Sequence, residues 1–177
     1  QLDVQRVIHT STSEVYGSAQ FVPIKESHPL VGQSPYSASK IAGEAFIYSY
    51  ARCYGLPYLV FRFSNVYGRF DNDLSRMVRV IPLFIHSMLR DEPITIYGGH
   101  DKTLDFTYVD DCIDGIVAGI EALAARRVVN QTINLAFGQG NTLVRCAEFI
   151  ARELGTTPDM TLAPALLGEV THYVADL

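Results

Sequence analysis

No paired cysteines, no metal-ligating cluster, no long apolar run and no basic patch occur in these 177 residues, and each absence removes a class of protein. The three cysteines, Cys53, Cys112 and Cys146, are odd in number, far apart and without CxxC spacing. That excludes a disulfide frame or a zinc site and points to reduced, mostly buried thiols in a cytoplasmic protein. His9, His28, His86, His100 and His172 have no metal-ligand spacing, and no GxSxG elbow marks a serine hydrolase. No stretch of about 18 apolar residues is present, so no membrane-spanning helix is expected. Fourteen basic against nineteen acidic residues give a net charge of −5, with no Lys/Arg cluster to track a phosphate backbone, so no nucleic-acid partner is expected.

What is present is a core-forming chain. Hydrophobic residues make up 48% and charged residues 19%, enough apolar side chain to exclude a disordered tail. At roughly 150 residues per domain the length predicts about one domain or slightly more. The chain opens at Gln1, almost directly on an apolar strand, and stops abruptly at Leu177, so a longer protein is expected around it.

Strand and helix patterns alternate. Val4 to Thr10 predicts a buried strand, and Tyr36 to Tyr54 a helix whose packing face holds Ala38, Ile41, Ala42, Ala45, Phe46, Ser49 and Tyr50, with Gly55 as its C-cap. Tyr58 to Phe63, Ile94 to Tyr97, Phe106 to Val109 and Gln131 to Ala136 predict further strands. Helices are expected from Arg76 to Leu89, interrupted near Pro82; from a cap at Asp110 to about Ala124, with Ile113, Ile116, Val117 and Ile120 facing inward; and from Asn141-Thr142 to Leu154. This alternation predicts an α/β architecture with a mainly parallel sheet. Asp101, Asp105, Asp110, Asp111 and Asp114 are expected as loop and helix N-terminal acids.

The sharpest chemical signal is Tyr36-Ser37-Ala38-Ser39-Lys40 at a helix start. Residues four apart share a helix face, so phenol and ammonium point the same way. A free phenol ionises near pH ~10 and is a poor base at neutrality. An ammonium roughly 5 Å away, at an effective dielectric of about 20, favours the phenolate by on the order of 3 kcal/mol. Upstream, at a strand's carboxyl end where open parallel sheets bind ligands, stands Thr10-Ser11-Thr12-Ser13-Glu14-Val15-Tyr16-Gly17.

Together with Phe61-Arg62-Phe63-Ser64-Asn65-Val66-Tyr67-Gly68, Ile96-Tyr97-Gly98-Gly99, Leu104-Asp105-Phe106-Thr107-Tyr108-Val109-Asp110-Asp111, Ile133-Asn134-Leu135-Ala136 and Gly168-Glu169-Val170, these segments run in order along nearly the whole chain. The sequence resembles the extended short-chain dehydrogenase/reductases, NAD-dependent epimerases and dehydratases of nucleotide sugars. The resemblance implies a Rossmann-like, mainly parallel sheet, with residues 1–68 as the second half of the NAD domain. Residues 69–177 would form a smaller, mixed substrate-binding part, with 106–136 returning to the core.

It also implies roles. Tyr36 would take the proton of the sugar 4-hydroxyl while hydride passes to NAD; Lys40 would favour the Tyr36 anion and hold the nicotinamide ribose; Thr12 would bond the reacting oxygen. Ser11, with Tyr36 and Lys40, would face the cofactor, and Asn65 the sugar nucleotide. Glu14 would be the base for steps after oxidation, and Ser13 stands where dTDP-glucose 4,6-dehydratases carry a proton-donating Asp. Where the family usually has Arg-Asp-Phe this chain has Leu104-Asp105-Phe106, and Leu166-Leu167 precedes Gly168-Glu169. Leucine cannot replace a bidentate cation on a diphosphate, so Arg69, Arg76 and Arg79 become the candidates, Arg76 and Arg79 as substrate-binding residues. The resemblance further implies a homodimer in the complete enzyme and isomerase or lyase chemistry. A UDP-glucuronate decarboxylase is the alternative enzyme, and a non-catalytic binding module the alternative of another class. No GxGxxG turn for the cofactor pyrophosphate occurs, so it is expected before Val4, as if about the first third of the family's length were removed.

Overall fold

The computed structural model describes residues 3–71, 73–75 and 79–177. Its elements follow the expected alternation. Strand β1 (Val7–Thr12) runs into a 3-10 turn at Ser13–Tyr16, and helix α1 (Pro35–Tyr54) returns the chain to β2 (Tyr58–Phe63). Then come β3 (Asn65–Tyr67), α2 (Val80–Met88), β4 (Ile94–Tyr97) and β5 (Thr103–Tyr108). Helix α3 (Val109–Ala124), β6 (Gln131–Leu135), β7 (Gly140–Thr142), α4 (Leu143–Leu154) and β8 (Met160–Ala163) complete it.

Strands β1, β2 and β6 form a parallel sheet in that order, with Thr12 beside Phe63 and Phe63 beside Leu135, so their carboxyl ends finish level. Strand β3 pairs parallel with β5, which pairs antiparallel with β7; β4 and β8 form a separate parallel pair. The fold is α/β with mainly parallel sheets, as predicted. The last residues thread back into it. The Tyr173 amide donates to the Thr103 carbonyl at 3.0 Å, and the Ile24 amide donates to the Val174 carbonyl at 2.8 Å.

Helix α1 sits on the sheet in an orientation its apolar residues do not predict. Its buried side carries Ser37 and Glu44, with Lys40, Ile41, Ile47 and Tyr48 half-buried, whereas Ala38, Ala42, Ala45, Phe46, Ser49 and Tyr50 are exposed. The helix turns a polar stripe inward because buried hydrogen-bond partners await it there.

Helix α3 is turned as well. Cys112 and Leu123 are buried on its inner side, and Ile113, Val117 and Ile120 are exposed. The cause is close approach. A Cβ on Gly115 would stand 2.5 Å from Leu135, and one on Gly119 would stand 2.4 Å from the Phe61 ring. Only the glycine side lets the helix lie this close to β2 and β6, packing Leu59, Phe61 and Leu123 into one apolar cluster. Burying Phe61 alone is worth roughly 1.5–3 kcal/mol. A second cluster, including Phe84, Ile94, Ile96, Leu104, Leu143, Ala147 and Ala151, packs α2 and α4 on β4 and β5.

Other boundaries are corrected. Strand β1 begins at Val7 rather than Val4 and runs through Thr12. Helix α2 begins at Val80, so Pro82 falls in its first turn, where its missing N–H removes no helical bond; Arg76 lies outside the described residues. The N-cap of α3 is Tyr108, which leaves Asp110 and Asp111 as first-turn acids, favourable at the positive end of the helix. Asp105 is no loop acid but a fully buried residue of β5. Cys53 is exposed, against the expectation of mostly buried thiols.

Candidate active site

The start of α1 is fixed by its own sequence. Ser34 accepts from the Ser37 amide at 3.1 Å while the Ser37 hydroxyl accepts from the Ser34 amide at 3.0 Å, and Pro35 opens the helix. Tyr36 therefore stands in the first turn, 50% exposed, and its hydroxyl meets no hydrogen-bond partner among the described residues. One turn on, the Lys40 ammonium lies 5.8 Å from the centre of the Tyr36 ring and donates to the Thr10 carbonyl at 2.9 Å. Phenol and ammonium thus share one helix edge beside the end of β1.

Thr12 closes β1. It is nearly buried, and its Oγ1 accepts from the Glu14 amide at 3.3 Å, capping the 3-10 turn. That cap projects Ser13 and Glu14 outward. Desolvation raises the Glu14 carboxyl above its ordinary pKa. Ser13, Glu14 and Asn65 line one cleft of about 170 Å³, closed on the far side by Lys102 and Leu104 and by Glu169 and Tyr173 of the returning chain. Asn65 also donates to the Asp105 carbonyl at 3.2 Å. Thr12, Tyr36 and Lys40 are not among the residues lining this cleft; they stand on its β1–α1 side. A wider hollow of about 500 Å³, lined by Tyr48, Arg52, Tyr58 and Thr132, lies at the amino ends of β2 and β6 and contains none of the expected site residues.

The remaining expectations fall out unevenly. Ser11, expected at the cofactor, is buried, and its hydroxyl donates to Glu44 at 2.5 Å. Arg69 pairs with Asp110 at 2.6 Å, and Arg79 reaches the Val66 carbonyl at 3.1 Å and Asp71 at 3.6 Å. Leu104 is packed into the apolar cluster around Ile96 while also lining the cleft. Among the described residues lining the cleft the cation is Lys102, almost fully buried and paired with Glu169.

Sequence reading missed the interior polar groups. Asp105 accepts from the amides of Phe137 at 3.0 Å, Gly138 at 2.9 Å and Ala175 at 3.3 Å, although burial still pushes its carboxyl above the usual pKa. Glu44 and Arg62 form a buried ion pair at 2.6 Å. Both left a trace in the sequence. Arg62 is a charge inside an apolar strand, and Glu44 extends the Tyr36–Lys40 spacing by one more turn.

Comparison with known proteins agrees with this architecture. A UDP-glucose 4-epimerase of Mycolicibacterium smegmatis is 30% identical over 98% of this chain and 54% of its own. A dTDP-glucose 4,6-dehydratase of Xanthomonas campestris is 34% identical over 75% of this chain and 36% of its own. The crystal structure of UDP-glucuronic acid 4-epimerase from Bacillus cereus, in complex with UDP-glucuronic acid and NAD, superposes with a TM-score of 0.86 at 30% identity, over 99% of this chain and 53% of that one. The chain thus spans about half the length of the relatives it matches end to end. Residues 1–136 match the NAD dependent epimerase/dehydratase family, and with the parallel sheet and the Tyr36–Lys40 edge in place the chain belongs to that family of enzymes.

Proposed function

We propose that the protein containing this chain is a nucleotide-sugar 4-epimerase or 4,6-dehydratase, and that residues 1–177 carry its proton-transfer groups and much of its sugar-nucleotide cleft. The observation that carries the reading is the shared edge of Tyr36 and Lys40, docked through the Thr10 carbonyl next to Thr12. In this reading residues 1–68 complete the cofactor domain and 69–177 supply mainly the substrate side, with 106–136 returning to the core.

The groups at this edge suit a nicotinamide ribose. The Lys40 ammonium has three protons and uses one on Thr10, and the Tyr36 hydroxyl is uncommitted, so ribose hydroxyls would find both a donor and an acceptor. NAD, when bound, supplies the hydride acceptor for the sugar C4. Tyr36, as the phenolate that the Lys40 ammonium stabilises, takes the proton of the C4 hydroxyl and becomes the neutral phenol as hydride leaves C4. Thr12 orients the reacting oxygen. Once C4 is a ketone the C5 proton is acidified, and Glu14, which lines the cleft, is the base proposed to remove it. Desolvation raises its carboxyl above the ordinary value, which makes it a stronger base than a solvated glutamate. Lys102 and Arg79 are the cations proposed for the diphosphate in place of the missing arginine.

The test is turnover by the full-length protein, with NAD, of UDP-glucose, UDP-glucuronic acid and dTDP-glucose, the products separated from substrate by chromatography and read by mass. An epimer of unchanged mass or a product lighter by one water supports the reading. Loss of carbon dioxide moves the protein to the decarboxylases, and no turnover of any of the three overturns it.

A further inference from the structure

Glu44 has no exposed surface, yet it is a carboxylate in the middle of a helix. It accepts four hydrogen bonds: from Ser11 at 2.5 Å, from the Tyr48 hydroxyl at 2.9 Å, and from the Arg62 Nε and Nη2 at 3.0 and 2.6 Å. Arg62 spends Nη1 on the Tyr16 hydroxyl and the Glu26 carbonyl, both at 3.0 Å, with its guanidinium 4.9 Å from the centre of the Tyr16 ring. Tyr16 in turn donates to Asn134 of β6 at 2.5 Å. One connected network therefore joins α1, the ends of β1, β2 and β6, and the 3-10 turn.

Such a network is a costly way to dock a helix, because apolar side chains of similar volume would hold it as well without desolvating a charge pair. What it adds is directional geometry. Tyr36, Lys40 and Glu44 lie at intervals of four on one stripe of α1. Two contacts stitch that stripe to consecutive residues of β1, Lys40 to the Thr10 carbonyl and Glu44 to the Ser11 hydroxyl. The next residue of β1 is Thr12. Anchors one helical turn apart on α1 and one residue apart on β1 fix both the roll and the height of the helix.

We propose that Glu44 is a positioning residue for the reaction: it sets where Tyr36 and Lys40 stand relative to Thr12 and, through Arg62 and Tyr16, where the turn carrying Glu14 sits. The inference rests on the catalytic reading above. A shift of about 1 Å in reacting groups costs on the order of a hundredfold in rate, so the effect falls on kcat rather than on binding.

The experiment compares Glu44→Gln, Ser11→Ala and Tyr36→Phe in the full-length protein. Each is assayed with NAD and whichever of UDP-glucose, UDP-glucuronic acid and dTDP-glucose is turned over, with rates counted per folded molecule. Glu44→Gln and Ser11→Ala are expected to lower kcat at least about tenfold while both KM values stay within about threefold. Added to Tyr36→Phe, Ser11→Ala is expected to cost nothing more, since it acts through the same groups. Glu44→Gln leaves Arg62 buried without its counter-charge; should it fail to fold, Ser11→Ala, which keeps the ion pair, decides alone. Wild-type kcat in Ser11→Ala beside an inactive Tyr36→Phe overturns the positioning role and leaves the catalytic reading standing. A rise confined to the KM for NAD also overturns it and returns Ser11 to the cofactor. Full activity in Tyr36→Phe overturns the catalytic reading and this inference with it.

Discussion

Lys40 donates to the carbonyl of Thr10 across 2.9 Å, so the ammonium that faces Tyr36 is tied to the strand that ends two residues later in Thr12. A lysine on a solvated helix start samples many rotamers. This one is held, and with it the distance between the charge and the ring.

Tyr36→Phe in the full-length protein is expected to lower turnover by roughly 10²–10⁴-fold, the usual worth of a positioned acid or base. The ring is half exposed and its hydroxyl bonds no described residue, so the melting temperature should not move. Calorimetry and steady-state rates on one preparation check both halves. Near-wild-type turnover makes Tyr36 a surface ring.

If the protein is a 4,6-dehydratase, Glu14→Gln separates the oxidation of C4 from the elimination after it. Hydride transfer does not need this carboxylate, so NADH absorbance is expected to build up without dehydrated product. In the native protein the later step is expected to slow on acidification, as the raised Glu14 pKa is crossed and the base is protonated. Unchanged product formation in Glu14→Gln assigns it a bystander's place.

Gly119→Ala places a methyl 2.4 Å from the ring of Phe61, which is 1% exposed and hemmed in by Leu59 and Leu123. A loss of about 1–3 kcal/mol is expected from overpacking, read as a lower urea midpoint with an unchanged slope. Val117→Ala, on the exposed side of the same helix, is expected to stay within about 0.5 kcal/mol.

Two buried acids pull the pH dependence of stability in opposite directions. Burial would raise the Glu44 pKa, but hydrogen bonds from Arg62, Ser11 and Tyr48 bring it below its ordinary 4.5. Its stabilisation is therefore present above that value and is lost as pH falls through the lowered one. Asp105 is raised above 3.8 by burial against its three amide donors, so its contribution is full at low pH and is lost as pH rises through the raised value. Stability is expected to peak on the mildly acidic side, and Asp105→Asn to remove the decline toward neutrality. Denaturant midpoints across a pH series show either shape.

Thiol reactivity tracks burial. Cys53 is exposed, Cys112 is raised by desolvation, and Cys146 is pushed up to about 11. One fast-labelling thiol per native chain is expected with an aromatic disulfide reagent, and Cys53→Ser removes it.

The sequence made legible what repeats or caps. Gly55 closes α1, Thr142 opens α4, and the strand runs at Tyr58 and Gln131 stand where their patterns place them. The Tyr36–Lys40 edge and Thr12 were legible because their spacing is local. Helix rotation was not. Which side of α1 and α3 faces the sheet depends on partners far along the chain, Arg62 for Glu44 and Phe61 for Gly119, and hydrophobic periodicity alone favours the wrong side in both. Asp105 was misplaced for the same reason, since one of its amide donors lies 70 residues away.

That late donor has a consequence for the order in which the molecule is made. Ile24 meets Val174, Thr103 meets Tyr173, and Asp105 receives its third amide from Ala175, so one wall of the cleft comes from residues synthesised long after those they touch. At about 5–20 residues per second, a nascent chain holds β1, α1 and β2 for several seconds before that wall can arrive. Until then the buried ends of Ile24 and, once it is made, Asp105 stand open to water and to other chains. The earlier elements have contacts of their own to fold on, whereas the cleft waits for the ribosome.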